Sequence, residues 1–332
     1  MININILTKF PDYHCYLDDN VPFMDSGDYR FYENSQLDII WDLVVVVEGI
    51  NESLTFKVKS NGLWFVSGEP PMSREYPKAF LRQFDLQITS HKYKNLDNVL
   101  NTQQSLDWWY AKSFKNRTHK YTLAQIEQLP ISEKTKNISL ISSSKKMMPG
   151  HNHRQSIIKQ LKKDFPTQID FYGGVDGDVE YKCDAIDDYR FCICIENSQI
   201  DDYWTEKIAD PILGYSIPIY SGCTNIDSYF NKNGMFVFDV KNYNTLKRII
   251  EMILENPESE YDKKVEFLKQ NRSALVDYHM FNSIKRKLEG YGLSQENKNV
   301  NLKPAEEFDT YKWLYLRTRF IRACYKFVLN IF

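Results

Sequence analysis

RFCICIENSQIDDYWTEKIADPILGYSIPIYSG, residues 190–222, reads as strand, polar loop, helix and strand. The apolar run at 190–195 is too short for a helix and fits a strand buried on both faces. YWTEKIADPILG (203–214) has helical spacing, and SIPIYSG (216–222) is a second apolar strand closed by glycine. Two strands joined by such a crossover helix imply a parallel pairing. In an open parallel sheet, ligands bind beyond the carboxyl ends of the strands, and Glu196, Asn197 and Ser198 leave the first strand at that end.

Outward from this unit the alternation continues. NISLISS (137–143), QIDFYG (168–173) and MFVFDV (235–240) read as strands. HRQSIIKQLKKD (153–164) and NTLKRIIEMILEN (244–256) read as helices, and two more helical segments follow to about 290. Strands are also expected at 3–8, 37–48, 63–68 and 86–90, with a helix at 76–84. The polar stretch ISEKTKN (131–137) after Pro130 reads as a linker. The expectation is an α/β protein of two Rossmann-like domains with parallel sheets facing a central cleft that takes the ligand.

Composition narrows the function classes. With 42% hydrophobic and 26% charged residues, the 332-residue chain is an ordinary globular protein long enough for two domains. A net charge of −2 gives no global electrostatic case for nucleic acid. Aromatics reach 14%, which suits carbohydrate handling but also a large core. Cys192 and Cys194 alternate onto one face of a strand, a poor metal knuckle, and read as small buried hydrophobes in a reducing compartment. No basic segment followed by an apolar one opens the chain, and WDLVVVVEG (41–49) is too short to span a bilayer, so a cytoplasmic location is expected.

The polar loop has chemistry of its own. A helix starting near Tyr203 to Thr205 exposes N–H groups that attract anions, and Lys207 adds a full charge in its first turns. Glu206 suits a ribose hydroxyl pair, and Tyr203 suits a sugar or base. Together these groups fit a nucleoside diphosphate. The same spacing fits a capped, charged helix start, with Glu196 capping a neighbour.

Residues 191–222 resemble the signature of glycosyltransferase family 10, the α-1,3/4-fucosyltransferases. That signature is an apolar strand, F-E-N-[ST], a variable linker, D-Y-[VI]-T-E-K, an apolar helix and [VI]-P-[VI]-x-x-G. Upstream, NISLISSSKK and HRQSIIKQL resemble the family's strand, Ser-rich turn and Arg-bearing helix, and IDFYGG resembles its V-D-x-Y-G strand end. LWFVSGEPP (63–71) falls at the family's E-S-P motif, with Pro70 in the Ser position, and FDLQITS (84–90) resembles the F-D-x-x-x-T stretch after it. Trp204 and Pro211 are further departures. The resemblance covers roughly 137–240 and is thin over the N-terminal half.

The resemblance implies the GT-B architecture, with an acceptor-binding domain over 1–130 and a nucleotide-sugar domain over 137–300. It implies inverting transfer of L-fucose from GDP-fucose to a saccharide hydroxyl, with no cofactor and no metal. Donor contacts would come from Ser143, Arg154, Glu196, Asn197, Ser198, Tyr203, Thr205, Glu206 and Lys207. Glu69 would be the catalytic base, and Trp108 and Trp109 would stack on the acceptor sugar. Without the resemblance, Glu69 is a loop acid, Arg154 one more solvated charge, and Trp108 and Trp109 are equally well core residues. Asp176-Gly177-Asp178 imitates a metal-binding D-x-D motif but reads as structural. The same fold with a different sugar nucleotide, or a non-catalytic nucleotide-sugar-binding protein, are the alternative readings.

The tail over 305–332 is separate. YKWLYLRTRFIRACYKFVLNIF (311–332) carries Trp313, Leu316, Phe320, Cys324, Phe327 and Ile331 at helical spacing, with Arg319, Arg322 and Lys326 off that stripe. A basic amphipathic helix suits peripheral contact with an anionic membrane on its cytoplasmic face, or docking on the fold.

Overall fold

A computed structural model describes residues 1–9, 23–105, 107–113, 118–142, 149–177 and 179–329. The chain opens with strands β1 (Ile2–Thr8), β2 (Phe23–Ser26), β3 (Tyr29–Glu33), β4 (Ile40–Trp41), β5 (Leu43–Val47), β6 (Leu54–Lys59) and β7 (Leu63–Val66). A one-turn helix α1 (Lys78–Leu81) and strands β8 (Leu86–Thr89) and β9 (Val99–Asn101) follow. Next come α2 (Leu123–Gln128), β10 (Lys136–Ile141), α3 (Pro149–Asp164), β11 (Ile169–Tyr172), β12 (Tyr189–Ile195) and α4 (Glu206–Leu213). β13 (Ile217–Ser221), β14 (Phe236–Val237), α5 (Tyr243–Glu255) and α6 (Pro257–Leu275) complete that stretch. The last elements are α7 (Met280–Tyr291), β15 (Asn297–Leu302) and α8 (Thr310–Leu329).

These elements form two compact units. The first joins Met1–Leu106 to His279–Cys324, and the second joins Asp107–Tyr278 to the end of α8 from Tyr325. The chain therefore changes unit at 106/107, 278/279 and 324/325. This differs from the expected boundaries: residues 107–130 belong to the second unit and 279–300 to the first. Residues 131–137 are also not a loose linker. Lys134 is buried there, and its ammonium donates to the carbonyls of Asp187 at 2.6 Å and Gly214 at 2.7 Å.

In the first unit a seven-stranded sheet runs β2-β3-β1-β5-β7-β8-β9, parallel at every pair except β2 with β3. All five residues of β5, Leu-Val-Val-Val-Val, are buried, as a strand covered on both faces requires. The returning segment completes this core. β15 pairs antiparallel with β6, Leu302 joins the cluster around Trp41, Phe65 and Phe80, and Phe281 of α7 lies with its ring 4.5 Å from that of Phe31.

In the second unit a five-stranded sheet runs β11-β10-β12-β13-β14, parallel throughout. The chain goes from β10 out to β11, then returns to the other side of β10 with β12, β13 and β14. The order therefore reverses between β10 and β12, and this is where an open α/β sheet has its crevice. MFVFDV forms only the two-residue β14, with the Phe238 amide still donating to the Tyr220 carbonyl of β13 at 3.0 Å. Arg272 of α6 ties this unit together. It is buried, donates to the carbonyls of Leu213 at 3.0 Å and Glu127 at 3.1 Å, donates also to Ile126, and its guanidinium sits 4.6 Å from the Tyr215 ring.

Replacing Arg272 by Met would strand these carbonyls in a dry interior. The expected cost is about 2–4 kcal/mol, read as a lower urea midpoint with an unchanged slope.

Candidate active site

β12 delivers Glu196 into the crevice, where its side chain is fully buried. A buried carboxylate needs partners for both oxygens, and the loop ahead supplies them. Oε1 accepts from the Thr205 amide and Oε2 from the Thr205 hydroxyl, each at 2.8 Å. Thr205 is itself the N-cap of α4, its hydroxyl accepting from the Lys207 amide at 3.4 Å. One carboxylate thus fixes where the helix starts and aims its first turn at the crevice.

That turn presents Glu206 and Lys207, with side chains 25% and 22% exposed. The Lys207 ammonium donates to Glu206 at 3.1 Å and to the Thr205 hydroxyl at 3.2 Å, and lies 3.6 Å from Glu196. Burial works against the charged Lys207, but Glu206 and Glu196 outweigh it and raise the pKa. Burial would also raise Glu206, yet Lys207 and Lys182 hold it down at about 2. Glu206 therefore stays an acceptor, and Lys207 a cation, at any physiological pH. Burial pushes the Glu196 carboxyl up, opposed by Lys207. From α3, buried Arg154 donates to Asn197 at 2.9 Å, so the other expected cation meets the same loop.

The structure separates the remaining expected residues. Tyr203 is only 2% exposed, so its ring packs in the core rather than standing open in the crevice. Ser198 is half-buried beside Asn197, and Ser143 lies outside the described residues. Trp108 is buried and takes the packing role; Trp109 is half-buried, with the Lys112 ammonium 4.7 Å from its ring. Both tryptophans belong to the second unit rather than to the unit that holds Glu69. Asp176 is ion-paired with Lys162, and Asp178 lies outside the described residues.

Sequence reading missed a buried pair beneath the site. Asp210, one turn along α4 from Glu206, meets the Lys182 ammonium at 2.6 Å and accepts from the Trp109 amide at 3.0 Å. Burial raises the Asp210 carboxyl to about 6, against the pull of Lys182. No local motif announces Lys182; the one signal is an acid and a proline inside an apolar helix.

In the first unit, Glu69 follows β7. Its backbone is held by a second buried strand-end carboxylate, Glu48, which follows β5. Glu48 Oε1 accepts from the amides of Gly68 at 2.5 Å and Glu69 at 2.8 Å. The other oxygen accepts from the Tyr76 hydroxyl, with Arg74 at 3.5 Å. His91 completes the cradle: Nε2 lies 2.8 Å from the Glu69 carbonyl and Nδ1 3.0 Å from the Tyr93 hydroxyl. Nε2 must then carry the proton, because a carbonyl only accepts. The Glu69 side chain remains half-buried.

Residues 131–288 match the family described as Glycosyltransferase family 10 (fucosyltransferase) C-term, a span that contains β10 to α6 and every residue expected to contact a donor. Over these residues the chain is similar to the C-terminal part of the family 10 glycosyltransferases. The chain is 33% identical over 101 residues to the alpha-(1,3)-fucosyltransferase FucT of Helicobacter pylori, covering 27% of this chain and 21% of that protein. Alpha-(1,3)-fucosyltransferase B of Drosophila melanogaster is 28% identical over 199 residues, covering 54% of this chain and 42% of the relative. The matches thus span less than half the length of either relative. Among solved structures, an alpha1,3-fucosyltransferase with GDP-fucose aligns with a TM-score of 0.46 at 16% identity, covering 83% of this chain and 91% of that one.

The cradle of the Glu69 loop carries a pH dependence. Burial lowers the His91 pKa from 6.5 to about 4, with the bond to the Glu69 carbonyl opposing. A depressed pKa means that the unfolded chain binds the proton first. The stabilisation is therefore complete above pH 6.5 and is lost as pH falls through 4. Stability should drop by roughly 3 kcal/mol across that window, and His91→Gln should flatten the slope in urea titrations at stepped pH.

Proposed function

We propose that the protein is an inverting GT-B fucosyltransferase that moves L-fucose from GDP-fucose to a hydroxyl of a saccharide acceptor. The observation that carries this reading is the Glu196–Thr205 clamp, which sets Glu206 and Lys207 at a helix start in the sheet crevice, with Arg154 bonded to the same loop. Breaking the sugar–phosphate bond leaves charge on the nucleoside diphosphate, and fixed cations stabilise it without reorganising. Arg154 offers a planar donor fork and Lys207 a point charge, while ionised Glu206 suits the ribose hydroxyls. Inversion needs a base on the face away from the leaving group, and Glu69 is our candidate. The donor groups read the diphosphate and ribose more than the sugar, so a different nucleotide sugar is the competing assignment.

The test pairs donor binding with turnover. GDP and GDP-fucose should raise the melting temperature, whereas a shift with UDP- or CMP-sugars alone would replace the donor. Glu69→Gln should cut transfer by about a hundredfold with donor affinity nearly unchanged. Arg154→Ala and Lys207→Ala should weaken donor binding and turnover together. Normal donor binding in both cationic variants would move the diphosphate elsewhere.

The reading extends to location: a cytoplasmic enzyme held peripherally on an anionic membrane. No helix among the described residues is long and apolar enough to cross a bilayer. Trp313, Leu316 and Phe320 are instead 60%, 61% and 70% exposed along one side of α8, beside Arg317. Trp313→Ser with Phe320→Ser should reduce sedimentation with phosphatidylserine vesicles several-fold; unchanged binding would remove this contact.

A further inference from the structure

The first unit holds a cavity of about 340 Å³ that no donor residue reaches. It lies where the sheet order of this unit reverses. β1 leads outward to β3 on one side, while β5 and β7 lie on the other. Lys9, just past β1, and Glu69, just past β7, both line it, so it occupies the carboxyl-end crevice of this sheet. The opposite wall is α8, through Tyr311, Tyr315 and Arg319.

The walls carry two kinds of chemistry. Lys9 and Arg74, with side chains only 14% and 19% exposed, share Glu306 at 3.5 and 3.7 Å. Arg74 has Glu48 at 3.5 Å. These separations exceed the roughly 2.7–2.9 Å of a charge-assisted hydrogen bond, so neither cation is saturated by its acids. Burial, then the neighbouring Arg74 charge, lowers the pKa of Lys9. An anion between the two would relieve that repulsion. Glu75, the second acid in the wall, is already engaged by Arg317 at 3.2 Å. The other chemistry is aromatic. Tyr311 and Tyr315 stack within 13° at 6.4 Å, and the Arg319 guanidinium lies 5.6 Å from the Tyr315 ring. Tyrosines of this kind pair an apolar face with a polar hydroxyl, which suits a sugar ring.

We propose that this cavity is the acceptor subsite, that it takes a saccharide bearing a carboxylate or phosphate, and that α8 is its wall. The assignment rests on the transferase reading, in which Glu69 receives the acceptor proton. The anionic group meets Lys9, Arg74 and Arg319; the sugar ring lies along the tyrosines. The face of α8 that carries Phe320 has no part in it.

The experiment measures dissociation constants of glucose, glucuronic acid and glucose 6-phosphate for the full chain with GDP present, by saturation-transfer NMR. At least one acidic probe should bind about fivefold or more tighter than glucose, and which one does so separates a carboxylate site from a phosphate site. Lys9→Gln should abolish that preference. Tyr315→Ala should weaken the preferred probe about tenfold, and Phe320→Ala should leave it unchanged. Equal binding of glucose and both acids, or equal losses in Tyr315→Ala and Phe320→Ala, overturns the proposal. GDP binding without an acidic preference sinks the subsite alone. An acidic preference without GDP binding leaves an anionic-sugar site but sinks the transferase reading, and with it the acceptor role.

Discussion

A buried carboxylate at the end of a buried strand is the constraint on which both units depend. Glu196 and Glu48 each sit where an apolar run stops, and each is desolvated. A charge in that position is tolerable only if backbone and hydroxyl donors close around it. The donors come from the segments to which we assign the chemistry: Thr205 ahead of Glu206 and Lys207, and Gly68 and Glu69 on the loop of the candidate base. The glutamates need not touch a substrate to matter. They convert loops into fixed surfaces, and a fixed surface is what electrostatic stabilisation of a leaving group requires.

The same constraint explains which departures from the family pattern the fold accepts. Pro70 stands where the family has serine, but the amides that Glu48 uses belong to Gly68 and Glu69, so losing an N–H at 70 costs that cradle nothing. The Pro70 carbonyl still accepts from Ser73 at 2.8 Å and starts the next turn. Trp204 replaces a smaller residue but packs against the rings of Phe230, Tyr278 and Tyr229 at 5.0, 5.2 and 5.7 Å. Its neighbour Tyr203 goes inward as well. Pro211 falls in an eight-residue helix, where the bond it forgoes lies within one turn of the end.

Much of this was legible because it is local. The runs at 190–195 and 216–222 became β12 and β13 because continuous apolar sequence between polar stops fits a sheet covered on both faces. The grouping of Glu196, Thr205, Glu206 and Lys207 was legible for the same reason, since a strand end and a helix start lie within twelve residues. What escaped was long-range. β15 (NKNVNL) carries almost no apolar signal and becomes a strand only by pairing with β6. Lys182 and Asp210 find each other across separate elements, and Trp108 and Trp109 follow Asp210 into the second unit rather than staying with the sequence that precedes them. Side-chain direction was also beyond reach: nothing in D-Y-W-T-E-K says that the tyrosine turns inward and the glutamate outward.

The pairing of β6 with β15 has a consequence for biosynthesis. Lys59 opposes Asn297, so Asp107–Tyr278, nearly all of the second unit, is translated between the two halves of this ladder. At roughly 5–20 residues per second, the nascent chain holds that edge of β6 open for on the order of tens of seconds. An open strand edge is a template for pairing with another chain. β6 reads LTFKVK, and Lys57 and Lys59 place charge along the waiting edge, a residue type that discourages such pairing. The sequence of this strand thus answers to its time on the ribosome as well as to its place in the finished fold.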